Sequence, residues 1–329
     1  MSGVSAPAGG FRQQVSSLLK DSVALYWELV RIMVPVMLLI RVAVLLGVIE
    51  VCGRLIDPLM SWVGLPGAMG VVWVTGIFVN IYGGAAALIS LLPDHPLTVA
   101  QATVLGSMLL VAHAIPLEGR IAQKSGAGLV FICLFRLGVA LAYGFLLTRL
   151  YAAFDLLTEP ATILFAPANA PVTDWGSWLL ASLRSLLSIF WIILALLTTL
   201  KLLDLCRITP LIARCMAPLL RLMGISDRGG SMTMAGLLLG LSYGGGLIIR
   251  ESRAGNLPET DIFLALCFMS ICHSLIEDTL FVMAMGAHVT GVLFGRFLFS
   301  LLVMALLARL VHGMSEKTFH AWLFRPSKS

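Results

Sequence analysis

Charge is what this sequence has least of. Only 12% of its 329 residues are Asp, Glu, Lys or Arg, about half of the roughly 25% usual in a soluble domain. No G-x-x-x-x-G-K-[ST] loop is present to cradle a nucleotide phosphate, and no H-E-x-x-H to hold a catalytic zinc. The first omission argues against energy coupling by nucleotide hydrolysis within this chain and the second against a zincin-like hydrolase; no enzyme is expected. No C-x-x-C links the six cysteines, Cys52, Cys133, Cys206, Cys215, Cys267 and Cys272, and most sit in apolar stretches where a free thiol behaves as a small hydrophobe. No basic run is interleaved with aromatics, so the formal charge of +5 is not a nucleic-acid footprint. Residues 1–10 are small and uncharged, without the features of a cleavable signal. No cofactor motif is present.

What fills the chain is apolar residue: 59% is hydrophobic and the mean hydropathy is +0.98. Stretches near the roughly 20 residues needed to span a bilayer recur throughout. They cover about 24–50, 67–92, 98–122 and 126–153, then about 177–205, 229–249, 262–287 and 289–312. The chain is a polytopic membrane protein whose first partner is the lipid bilayer. Residues 11–23 place Phe11, Val15, Leu18 and Leu19 on one helical face, the pattern of an interfacial helix.

The two sets of segments echo one another. At an offset of 160, Pro58 meets Pro218, Gly64 meets Gly224, Gly76 meets Gly236, His113 meets His273, Glu118 meets Asp278, Gly126 meets Gly286, Arg136 meets Arg296 and Arg149 meets Arg309. Tyr82-Gly83-Gly84 meets Tyr243-Gly244-Gly245 one residue further on. Duplication of this kind is characteristic of transporter folds, with the site at the seam between the halves. The organisation expected is a segment 1–23, a first repeat 24–153, a non-cytoplasmic linker 154–175, a second repeat 176–313 and a cytoplasmic tail 314–329.

Charge distribution selects a topology. If all eight segments cross, seven flanking cations fall inside (Arg12, Lys20, Arg250, Arg253, Lys317, Arg325, Lys328) and seven outside (Arg54, Arg120, Lys124, Arg207, Arg214, Arg221, Arg228). That tie violates the positive-inside bias. If instead the Tyr-Gly-Gly segment of each half dips in and returns, only Arg54 stays outside. The fold class expected is therefore all-α, with two inverted-topology repeats. Each repeat has about three spanning helices plus a re-entrant Gly-rich hairpin. Both termini are cytoplasmic, in a bacterial-type inner membrane. The consecutive glycines permit a sharp turn at mid-depth; the plainer alternative is that they allow close helix packing.

Intramembrane polar residues mark the candidate site, because each costs about 2.5 to 3.5 kcal/mol to insert. His113 is followed by Glu118, and His273 by Glu277 and Asp278. His273 and Glu277, four apart, share a face if one helix carries both. This cluster could bind a divalent cation, relay protons or hydrogen-bond a polar solute. The metal set is His113, Glu118, His273, Glu277 and Asp278. The wider substrate set adds Asn80, Tyr82, Gly83, Gly84, Ser242, Tyr243, Gly244 and Gly245, with Asn80 placed to cap a half-helix. Arg136 and Arg296 read as ion-pair or snorkelling residues, and the methionines of the second half as core filling.

The stretches "LIDPLMSWVGLPGAMG", "IYGGAAALI" and "LSYGGGLIIRE", together with the His segments, resemble the nucleoside-recognition or Gate domain. Two such units, over 34–118 and 193–278, cover most of the chain. Related units occur in the membrane part of ferrous-iron transporter B, in concentrative nucleoside transporters and in the spore-maturation A and B proteins. The resemblance implies an inner-membrane transporter or permease gated by opposed hairpins. The paired His and carboxylate residues place a divalent metal such as ferrous iron slightly ahead of a nucleoside or other polar solute. A non-transporting scaffold or accessory subunit is the reading from a different class, and a homo-oligomer is compatible with either.

Overall fold

The structure, a computed structural model, describes residues 11–165, 174–206, 208–222 and 257–325, together with 225, 226, 230, 233, 234 and 237. Every regular element among them is helical; the only β pairing is two isolated bridges, Thr98 with Pro160 and Ala127 with Phe324.

The first helix, α1 (Phe11–Leu45), contains Pro35 yet runs unbroken through the stretch expected as a separate interfacial piece. It ends at Gly47, whose φ of 69° turns the chain sharply into α2 (Val48–Trp62); the two helices meet at 92°. In the second half α8 (Trp175–Leu205) and α9 (Ile208–Leu222) occupy the equivalent stretches at the 160-residue offset, and α1 packs along α8.

The second apolar segment is split into α3 (Met69–Phe78) and α4 (Ile81–Leu91), which pack on each other. At about 1.5 Å per residue neither can cross a bilayer alone. The break lies at Val79 and Asn80, not at the glycines. Asn80 is extended, and its side chain accepts the Gly83 N–H at 2.9 Å, an N-cap that starts α4. Gly83 and Gly84 lie inside the helix. A Cβ at Gly84 would sit 3.1 Å from Leu109 Cδ2 and 3.4 Å from the Val72 carbonyl, so this glycine serves close packing rather than a turn.

The third segment is α5 (Val99–Val111) followed by α6 (Ile115–Lys124). A Thr98–Gln101 capping box opens α5. The segment breaks at Ala114, which adopts a left-handed φ of 46°, and Pro116 falls in the first turn of α6, where its missing N–H costs nothing. The equivalent segment is α10 (Glu259–Cys272) and α11 (Glu277–Ala284), broken at Ser274 with φ 44°. His113 and His273 therefore stand at helix breaks, not within continuous helices. His273 and Glu277 belong to different helices, and the expected shared face does not exist.

Each half closes with a long helix, α7 (Leu129–Ala153) and α12 (Arg296–His312), the latter entered through a π turn, Thr290–Gly295. A short α13 (Glu316–Trp322) follows. Among the described residues, five helices or broken helices are long and apolar enough to cross a membrane, six with the bent α1–α2 pair. The α5–α6 and α10–α11 windows are 78% and 83% buried, against 33% for α7, 33% for α12 and 17% for α8. The two broken segments thus form the centre, and Leu298, Leu302, Leu306 and Leu310 line an outward face of α12 at helical spacing.

The halves meet along α5. Gly106 has no side chain where Val282 of α11 crosses, and Thr103 Oγ1 accepts the His288 N–H at 2.8 Å. The linker beyond α7 is also tied down: Val99 N–H donates to Glu159 O, and Phe165 stacks buried on Phe281.

Candidate functional site

A break in a buried helix frees backbone groups that must find partners. At the first break, the Ala114 N–H donates to Gly76 O at 2.9 Å. The freed carbonyls are met from α7 by Arg136, which is fully buried. Its Nε donates to Val111 O and its Nη2 to His113 O, each at 2.9 Å, while Nη1 pairs with Glu118 Oε2. One planar guanidinium thus closes the end of α5 and holds the carboxylate of α6, a task that suits the rigid fork of arginine.

Each break also presents a histidine. His113 Nδ1 lies 2.8 Å from Leu109 O, and His273 Nδ1 lies 2.8 Å from Met269 O. A carbonyl can only accept, so both Nδ1 atoms carry the proton and a neutral ring offers a lone pair at Nε2. These two Nε2 atoms face each other across the seam at 3.3 Å. Glu118 Oε1 is 3.1 Å from His273 Nε2 and 3.6 Å from His113 Nε2, and Asp278 Oδ2 is 3.8 Å from His113 Nε2. His113, Glu118 and His273 therefore form a buried set of three ligand atoms all within 4.8 Å of one another. Acceptors converging out of water repel unless a proton or a metal cation lies between them.

The second half departs from this pattern at its arginine. Arg296 is as buried as Arg136 and follows Asp278 at the spacing by which Arg136 follows Glu118. Its Nη2 donates to Thr279 Oγ1 at 3.1 Å, but Nε and Nη1 have no partner. No Asp278–Arg296 ion pair forms among the described residues.

Of the residues expected at the site, His113, Glu118, His273 and Asp278 come together. Glu277 opens α11 and is half-buried, outside the closest set. Tyr82 reaches the same side of the seam: its ring lies 4.5 Å from that of Phe281 on α11, within electrostatic range of Glu277 and Asp278. Asn80, Gly83 and Gly84 shape α4. Ser242, Tyr243, Gly244 and Gly245 lie outside the described residues. Arg136 belongs to the site although the sequence reading left it out; the signal was the common spacing of Glu118–Arg136 and Asp278–Arg296.

Comparison with known proteins agrees with the resemblance. No solved structure matches the chain. An uncharacterized membrane protein of Bacillus subtilis (strain 168), YvoD, is 28% identical over 276 residues, covering 82% of this chain and 86% of the relative. Residues 26–142 match the Gate family, described as nucleoside recognition, a span that includes His113, Glu118 and Arg136. The chain is a multi-pass membrane protein, and its residues 26–142 are similar to the nucleoside-recognition Gate family.

Proposed function

We propose that this protein is a transporter or permease that moves a small cation through the seam, with a first-row divalent metal such as ferrous iron as the favoured substrate. The observation that carries the reading is the pair of Nε2 atoms facing each other at 3.3 Å beside the Glu118 carboxylate. Two nitrogens each about 2.0–2.1 Å from one ion, at a tetrahedral angle, are separated by about 3.3 Å. Glu118 Oε1 lies at nearly the same spacing, and Asp278 stands nearby as a fourth donor. Imidazole and carboxylate together suit iron, zinc and their neighbours. The spacing admits an ion but not a nucleobase between these four groups.

The surrounding architecture is read as two inverted repeats with opposed re-entrant hairpins and cytoplasmic termini in an inner membrane. The recurrence of left-handed breaks at Ala114 and Ser274 supports the repeat, and the Lys/Arg distribution supports the inversion. The second Gate-like unit, 193–278, belongs to the same reading. Rocking of one half against the other would then expose the site to each side in turn.

The test is metal binding by the purified protein followed by flux in proteoliposomes loaded with a metal-sensitive dye. Saturable ferrous-iron or zinc entry that His113→Ala and His273→Ala abolish is expected. A folded protein that binds and passes no metal would sink the reading and leave a scaffold role in its place.

A further inference from the structure

A second feature lies away from the seam, where α6 turns into α7 and the C-terminal segment folds back. The Gly128 N–H donates to Leu323 O and the Arg325 N–H to Gly126 O, both at 2.7 Å. Phe324 is buried beneath Gly126, where a Cβ would collide with its ring. Clamped open in this way, the two segments enclose a groove of about 810 Å³, within the roughly 300–1,000 Å³ of a small-molecule site.

The chemistry of the groove is divided. Its walls are largely apolar, built from Leu129, Val130, Phe131 and Leu134 on one side and from Trp322 and Leu323 on the other. Val130, Leu134 and Trp322 are 71%, 64% and 76% exposed. Val130 and Leu134 are one turn apart on α7, a membrane-spanning helix that begins at Leu129. The apolar wall thus runs directly into the lipid-facing surface, at the end of a span where headgroups lie and where tryptophan is enriched. The mouth is basic. Among the described residues Arg325 is the only charged one lining the groove, and Gln123, which also lines it, accepts a 2.7 Å hydrogen bond from Arg120 Nη1. Lys124 is the next residue and is exposed. No acidic residue lines the groove among the described residues.

We propose that this groove binds an anionic phospholipid of the surrounding leaflet, with an acyl chain along Val130, Leu134 and Trp322 and the headgroup phosphate at Arg325. The basic mouth above an apolar wall continuous with the bilayer complements a negatively charged amphiphile, and a zwitterionic lipid would satisfy only half of it. The walls are also elements that hold the seam. The helix α7 carries Arg136, and α13 places Phe319 against Phe263 of α10, the helix that leads to His273. A lipid bridging them braces both.

The test is native mass spectrometry of the full chain released from micelles doped with phosphatidylglycerol or phosphatidylcholine, with melting temperature as a parallel readout. One phosphatidylglycerol is expected to be retained in preference to phosphatidylcholine and to raise the melting temperature. Arg325→Gln is expected to weaken retention roughly fivefold. Val130→Trp, at an exposed wall position that leaves the core untouched, fills the groove and removes retention. Arg54→Gln, a basic change on α2 away from the groove, leaves it unchanged. Equal retention of both lipids, insensitivity to Val130→Trp, or an equal effect of Arg54→Gln would overturn the assignment. So would a dimer that only Val130→Trp dissociates, which would make a second copy the occupant.

Discussion

Arg136 and Arg296 occupy equivalent places in the two halves, yet replacing each by Met should have unequal consequences. Arg136→Met breaks a buried ion pair from one side, leaving Glu118 uncompensated, at a cost of about 3–5 kcal/mol. The carbonyls of Val111 and His113 also lose their donor, each worth about 1–3 kcal/mol when buried. Even with strong non-additivity, a loss of at least about 4 kcal/mol is expected. Arg296→Met gives up one hydrogen bond to Thr279, about 1 kcal/mol, while removing a buried cation with two unsatisfied nitrogens. Those two nitrogens, Nε and Nη1, carry three N–H groups between them, and the net effect is expected within about 1 kcal/mol of zero, of either sign. Equilibrium unfolding in mixed micelles, followed by circular dichroism, measures both. Adding Glu118→Leu to Arg136→Met should recover part of the loss, since removing both partners of a buried pair costs less than removing one. Equal destabilisation by the two Arg→Met changes, or no recovery in the double variant, would refute the reasoning.

Three further outcomes are expected. His113→Ala and His273→Ala should each lower zinc affinity by at least about 100-fold, since loss of an outer-shell partner alone typically costs 10- to 100-fold; titration calorimetry on the purified protein checks this. Ala114→Gly and Ser274→Gly should each stabilise by up to about 1 kcal/mol because glycine tolerates the left-handed φ, whereas Ala114→Val should be clearly destabilising in the same unfolding assay. Gly84→Val should disrupt the packing of α4 on α3 and α5, whereas Gly138→Ala, with open space around the new Cβ, should gain about 0.5–1 kcal/mol for α7; thermal melts of the two variants separate these directions.

Much of this molecule was visible before its structure, and the parts that were not have definite causes. Membrane-spanning length is a local property of composition, so α7, α8 and α12 fall close to their expected bounds. The 160-residue echo located His113, Glu118, His273 and Asp278 because costly intramembrane groups recurred at equivalent positions. The helix breaks were only partly legible. A break in the Tyr-Gly-Gly segment and a cap from Asn80 were expected and are found, but Gly83 and Gly84 supply close contact rather than the turn. Conversely, an apolar run through Ala112 and Ala114 concealed the break at His113; Pro116 in a first helical turn was the overlooked sign. The role of Arg136 depends on carbonyls freed by that break, so it was out of reach while the helix was taken as continuous.

In the proposed site the two halves of the seam are not identical. Glu118 and Asp278 stand at the same spacing from their arginines, but aspartate is one methylene shorter. Glu118 spans the distance: one oxygen is held by Arg136 and the other points at both Nε2 atoms. A carboxylate fixed by an arginine fork is an oriented donor, in the way outer-shell partners orient metal ligands. Asp278 lacks that tether and lies 3.8 Å from His113, so the second carboxylate approaches the histidines from a helix that does not clamp it. Perfect symmetry would hold both carboxylates alike. The single-methylene difference yields one fixed donor and one untethered donor around a pair of lone pairs, an arrangement that can bind an ion without enclosing it completely.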